Sequence, residues 1–122
     1  MKKNILETSY VVSHRAVLRD AMGAITDNQR GAVIVVDEKG HLMGILSDGD
    51  IRRAQLAGAT LDTPVEKVIN LRPVSLTESE VKEGRGEEIF NDEPSITLLP
   101  VVGEGNVLRD VVIRDPQKRK ET

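Results

Sequence analysis

Apolar and polar residues follow one rhythm along this chain, and they follow it twice. In the first pass Val17, Leu18, Ala21, Met22 and Ile25 recur at helical spacing, which predicts an amphipathic helix capped by Ser13 and running to about Asn28. Residues 32–36 form a short β-branched run of the kind found in buried strands. Asp37-Glu38-Lys39-Gly40 is a hairpin turn, with Gly40 able to take a positive φ. Residues 41–46 are the returning strand. Ser47 or Asp48 then caps a second helix, which Gly58 ends.

A linker with a helix-start pattern follows: Thr63 as cap, Pro64 at the first helical position and Glu66 in the first turn, giving a short helix to about Ile69. Residues 74–76 are extended. Thr77 and Glu80 make a capping box, but Gly84 and Gly86 interrupt the helix that should follow, each at a cost of up to about 1 kcal/mol. Strands are expected at 98–102 and 107–113. Val35-Val36-Asp37-Glu38 and Gly44 recur as Val101-Val102-Gly103-Glu104 and Asp110 at a constant offset of 66 residues, which marks two copies of one supersecondary unit. Pro116 stands where the last helix of the second copy should begin, so that helix is expected to be lost or cut off. Two units, 1–62 and 63–122, are the expected organisation.

Composition narrows what such a pair can do. The chain has 122 residues, the size of one small domain. It holds one Tyr, one Phe and no Trp, so it lacks the stacking platforms that single-stranded nucleic acid needs. A net charge of −3 and a pI near 5.4 argue against nucleic acid and anionic membranes as partners. Lys118-Arg119-Lys120 is a tight basic run and reads as a solvated tail. With no Cys there is no disulfide, zinc-thiolate site or thiol nucleophile. No apolar run has the length of a secretory or membrane-spanning segment, and a cytoplasmic protein is expected.

Candidate chemistry concentrates in Ser47-Asp48-Gly49-Asp50-Ile51-Arg52-Arg53, where an apolar strand turns into a helix. A helix N-terminus offers free N–H groups and partial positive charge, which suits a phosphate. The Ser47 hydroxyl and Arg52 or Arg53 add to that, and Gly49 lets backbone approach a ligand closely. Asp50 repels a phosphate but suits a vicinal diol, as an acidic residue does for ribose in dinucleotide-binding folds. Taken alone, the same residues also read as an ordinary capped helix with surface ion pairs.

Gly44-Ile45-Leu46-Ser47-Asp48-Gly49-Asp50-Ile51, preceded by Val33-Ile34-Val35-Val36-Asp37-Glu38, resembles the signature of CBS domains. The longer Ser-Asp-Gly-Asp-Ile-Arg-Arg is similar to the variant attached to sugar-phosphate nucleotidyltransferases and arabinose-5-phosphate isomerases. The resemblance covers about residues 5–115. It implies an α+β fold of tandem CBS repeats, β-α-β-β-α units packed about a pseudo-twofold axis, often dimerising into a flat disc. It implies a regulatory role without catalysis, with AMP, ADP or ATP bound between the repeats and an attached or partner enzyme controlled, a nucleotidyltransferase or a sugar-phosphate isomerase. Carried over by position, Asp50 holds the ribose hydroxyls, Ser47 the phosphate, and Ile45 packs on the sugar or base. Asn70, Pro73 and Ser75 match the segment entering the second repeat, and Ile96, Thr97 and Leu98 the segment that reads the base edge. In the second repeat Gly44, Ser47 and Asp50 become Asp110, Ile113 and Pro116, so one working site per chain is expected. Thr8 and Ser9 line the other cleft or act as plain turn residues.

Competing readings are weaker. Asp48 and Asp50 form an Asp-x-Asp pair, but Arg52 and Arg53 oppose a cation and no metal is expected. His14 and His41 lack an acidic or Ser partner at useful spacing and read as surface residues. Gly103-x-Gly105 is a turn, and the acidic stretch 78–88 a solvated helix face. The main alternative function is a dimerisation or interaction module without a ligand, in which Ser47 and Asp50 are caps only. A metal-assisted sugar or phosphoryl transferase is the third reading.

Overall fold

The computed structural model describes residues 4–71 and 73–114. The first unit opens with a 3₁₀ turn and continues through β1 (Val11–Ser13), α1 (Leu18–Asn28), β2 (Ala32–Val36), β3 (Leu42–Ser47) and α2 (Asp48–Leu56). The second repeats the order with β4 (Leu76–Thr77), α3 (Glu78–Lys82), α4 (Arg85–Asp92), β5 (Leu98–Val102) and β6 (Leu108–Ile113). Each makes a three-stranded sheet, β1-β2-β3 and β4-β5-β6, whose first pair is parallel and second antiparallel.

The repeat is visible in the hydrogen-bonding register. Val35 faces Gly44, and after a bulge Val36 faces Leu42; Val101 faces Asp110, and after the same bulge Val102 faces Leu108. Asp48 N–H donates to the Gly31 carbonyl, and Arg114 N–H to the Thr97 carbonyl, again 66 residues on. The entering strand keeps a different offset: Val12 lies beside Val35 but Leu76 beside Val101. The second copy thus has two more residues between its entering strand and the next strand, and α3 begins directly after β4.

β2 is buried along its whole length because both its faces are covered. Val33 and Val35 join Leu18, Ala21, Ile25, Leu46, Ile51 and Val65 in a core under the helices. Ile34 and Val36 turn the other way and meet Leu98 and Leu108 of the second sheet, with Val11 and Leu42. This sheet-on-sheet seam is closed at one end by the hairpins. His41 bridges Val107, Leu108 N–H donates to the Gly40 carbonyl (2.9 Å), and the Asn106 amide donates to the Leu42 carbonyl (3.1 Å). Elsewhere along it the Thr97 hydroxyl donates to the Arg30 carbonyl.

Several sequence expectations change. The first helix starts at Leu18, not after Ser13, because residues 11–13 pair with β2; the Ser13 hydroxyl instead accepts from Arg15 N–H at 3.0 Å. β3 starts at Leu42, and α2 ends at Leu56, two residues before Gly58 with its φ of 111°. The linker helix shrinks to a 3₁₀ turn, Val65–Lys67. Gly84, at φ 84°, does break the second unit's first helix into α3 and α4. Gly86 does not break it: it lies buried inside α4, where a Cβ would stand in ordinary contact with Leu76 and Val112, 3.5 and 3.6 Å away. Residues 63–70 pack on the first unit rather than the second: Val65 N–H donates to the Ala16 carbonyl and Val65 joins the first core. Pro116, the expected loss of the last helix, and Lys118-Arg119-Lys120 lie outside the described residues.

Candidate functional site

The β3–α2 junction is built as the sequence suggests. Ser47, extended at φ −103° and ψ 166°, is the N-cap. Its hydroxyl accepts from Asp50 N–H (3.1 Å), and Ser47 N–H donates to Asp50 Oδ2 (3.0 Å), so the two residues form a reciprocal capping box. The Ser47 hydroxyl also donates to Asp50 Oδ2 at 2.9 Å. Asp50 Oδ1 accepts from Arg53 Nη2 at 2.8 Å, an ion pair one turn apart. Ile51 is buried beneath and anchors the turn in the first core.

Two orphan donors of the first turn therefore have partners: Asp48 N–H bonds the Gly31 carbonyl and Asp50 N–H the cap hydroxyl. Among the described residues nothing takes the Gly49 N–H. The Arg53 guanidinium lies over this position, 3.3 Å from where a Cβ on Gly49 would stand. A free N–H, a helix N-terminus and a guanidinium thus meet at one spot, an arrangement that suits an anion.

Ile45 is joined to Asn70 on both sides, Ile45 N–H to the Asn70 carbonyl (3.2 Å) and Asn70 N–H to the Ile45 carbonyl (2.9 Å). This strap runs directly over Gly44, where a Cβ would stand 2.4 Å from the Asn70 oxygen. The glycine of the motif is therefore required by the close approach of a second backbone. Asp110, its counterpart, is exposed, and its carboxylate accepts from Val111 N–H.

The second unit approaches through Thr97. Its hydroxyl bonds the carbonyl of Arg30, and the neighbouring Gly31 carbonyl holds Asp48 N–H, so a short hydrogen-bonded path runs from β5 to the start of α2. Ile96 is half-buried and its carbonyl accepts from Arg114 Nε (2.9 Å); Leu98 is buried in the seam with Ile45 packed against the same cluster. Pro73 and Ser75 are half-buried on the way into β4, and among the described residues no hydrogen bond joins them to Ser47, Asp50 or Arg53. The structure thus draws Ser47, Gly49, Asp50 and Arg53 into one cluster, ties Ile45 to Asn70, and brings Thr97 within a residue of the junction.

Arg30 was not among the sequence candidates. Its carbonyl receives Thr97, while its Nε is buried and has no partner among the described residues. Asn28 was read only as a helix end; buried, it bonds the Ser9 and Ala32 carbonyls and Arg30 N–H, fixing the turn before β2. The only sequence signal for either was position beside Gly31. Thr8 and Ser9 line an open groove of about 650 Å³ with Glu7, Arg19, Asp20 and Asp27. Thr8 also donates to the Ile5 carbonyl at 2.7 Å, a turn role.

The histidines correct an expectation. His14, 15 % exposed, lies 3.1 Å from Glu66 and 3.5 Å from Glu38, and His41 lies 3.0 Å from Asp37. Each has an acidic partner: Asp37 stands four residues from His41, while the partner of His14 was hidden because Glu66 is 52 residues away. His41 N–H is the main group holding the Asp37 carboxyl below its ordinary range, and the His41 ring and Lys39 N–H act in the same direction. A hydrogen bond from Arg15 does most to lower Glu38 and, in return, to raise Arg15.

Comparison with known proteins decides the family. The family model described as CBS domain matches residues 1–57. The fold of a CBS domain pair/ACT domain protein from Thermotoga maritima superposes with a TM-score of 0.69 at 25% identity, covering 84% of this chain and 79% of that one. The chain belongs to the CBS-domain family. Its α+β architecture is that of a CBS domain pair. A CBS domain protein from Pyrobaculum aerophilum complexed with AMP has the same fold, with a TM-score of 0.69 at 18% identity over 93% of this chain and 82% of that one. Among curated relatives, the arabinose 5-phosphate isomerase GutQ of Escherichia coli (strain K12) is 31% identical over 101 residues, 83% of this CBS chain and 31% of GutQ. The chain spans about a third of the length of the curated relatives it matches.

Proposed function

We propose that this CBS pair is a regulatory module that binds an adenosine nucleotide where β3 meets α2, facing the second repeat. The observation that carries the proposal is the junction itself: the Gly49 N–H, the α2 dipole and Arg53 converge on one point, with Asp50 beside them and Thr97 of the other repeat one residue from the Gly31 contact. The fold shared with an AMP complex supports the same ligand class here. Phosphate would lie on the Gly49 N–H, ribose hydroxyls on Asp50, and the base against Ile45 and the backbone of Ile96, Thr97 and Leu98. Asn70, Pro73 and Ser75 would form the far wall.

AMP, ADP and ATP are the candidate ligands, and one site per chain is proposed because Ile113 stands where the first repeat has Ser47. The kinship with GutQ supports a partner or attached enzyme acting on sugar phosphates or sugar nucleotides. No catalytic step is assigned to this chain; both histidines face carboxylates rather than a nucleophile. A homodimer and a cytoplasmic setting are part of the proposal. No helix among the described residues is long and apolar enough to cross a membrane.

One observation favours a second reading, a dimerisation module without ligand: Ser47 and Asp50 already satisfy each other as a helix cap. Thermal unfolding with a panel of AMP, ADP, ATP and CMP separates the two. A ligand at 100 times its Kd stabilises by about 2.7 kcal/mol. The proposal predicts a rise in Tm with an adenine nucleotide in wild type and none in Asp50→Ala, whose own Tm is lower by the loss of a cap worth about 0.5–2 kcal/mol. No rise in wild type with any of the four supports the module without ligand.

A further inference from the structure

We propose that Arg53 is a built-in occupant of the ribose-reading carboxylate, and that its displacement makes the site select phosphorylated nucleosides over bare ones. This rests on the nucleotide reading above and adds the residue that sets its selectivity. A carboxylate offers about four acceptor positions, two on each oxygen. Three on Asp50 are filled: the Ser47 N–H (3.0 Å) and hydroxyl (2.9 Å) bond Oδ2, and Arg53 Nη2 (2.8 Å) bonds Oδ1. A vicinal diol donates two hydrogen bonds, so the carboxylate is one position short and one donor must leave.

The exposures decide which one. The Ser47 contacts are half-buried and cap α2, so breaking them opens the helix. The Arg53 side chain is 72 % exposed, against 27 % for Asp50. An exposed pair of this class is worth about a factor of two in an equilibrium. Arg53 yields first. Its guanidinium already stands beside Gly49, whose N–H has no partner among the described residues. A phosphate on that N–H comes within its reach and gains a charge-assisted hydrogen bond. A nucleotide therefore exchanges one ionic partner of Arg53 for another. A nucleoside displaces the guanidinium and offers it nothing.

The test is calorimetric titration of the chain with AMP and with adenosine, for wild type, Arg53→Gln and Arg53→Lys. Wild type is expected to bind AMP at least about tenfold more tightly than adenosine. Arg53→Gln should bind adenosine about twofold more tightly and AMP about tenfold more weakly, collapsing the ratio. Arg53→Lys, which keeps the charge, should hold most of it. If wild type binds AMP and Arg53→Gln leaves the ratio unchanged, the role of Arg53 is overturned while the nucleotide reading stands. If wild type binds neither AMP nor adenosine, both are overturned.

Discussion

Asp37 shows how one carboxylate organises the first hairpin. Its Oδ1 accepts from Lys39 N–H and His41 N–H, both at 2.9 Å, and Oδ2 faces the His41 ring. These donors favour the charged form and lower the carboxyl below its ordinary range, the His41 N–H most. A group whose pKa is depressed by folding stabilises the fold above its unfolded pKa, and that contribution is lost as pH falls through the folded value. Asp37→Asn keeps an Oδ1 acceptor for both N–H groups and removes the titration. Urea midpoints measured from pH 7 down to about pH 2.5 should therefore fall less steeply for Asp37→Asn than for wild type. Parallel curves would contradict this account of the turn. The turn itself was legible, since Asp37 and Gly40 act within four residues of each other. The partners of His14 were not, because Glu38 and Glu66 reach it only after β1 has paired and the linker has folded back.

At the scale of elements, the strap between Ile45 and Asn70 governs how the linker lies on β3. The Asn70 carbonyl occupies the space over Gly44, and a methyl group there meets it at 2.4 Å. Gly44→Ala should cost about 1–3 kcal/mol of unfolding free energy, the range of an overpacked core. Chemical denaturation measures it, and a loss below about 0.5 kcal/mol would show that the strap is free to lift. Sequence marked the glycine as part of a motif but not what crosses it, since Asn70 lies beyond a helix and a linker. Local signals served elsewhere: the Ser47 and Thr77 caps and both hairpins stand as read, because each is decided within a few residues. The start of α1 was misread because β1 claims Ser13, the expected cap, and Val17 bridges Pro64 ahead of the helix. Gly86 was misread because a glycine that breaks a helix, as Gly84 does, and one that a helix simply accommodates look alike in sequence.

At the scale of the molecule, two sheets share one apolar seam; the 66-residue offset made the two copies legible, and the resemblance to CBS domains implied how they pack. Ile34 and Val36 alternate with Val33 and Val35, so β2 serves the seam and the helical core at once. What sequence could not show is the state of the junction: Asp50 and Ser47, read as open to a ligand, are engaged with each other and with Arg53. Binding must therefore rearrange side chains at the seam, and any change in the angle between the repeats starts there, coupling ligand to partner only as far as the two states differ in affinity. The central claim is that one nucleotide touches both repeats at once. Amide ¹H–¹⁵N spectra of the chain titrated with AMP test it most directly. The account predicts that the Gly49 and Asp50 signals of the first repeat and those of Ile96, Thr97 and Leu98 in the second shift together, with one Kd. Spectra that do not respond, or shifts confined to one repeat, would contradict it.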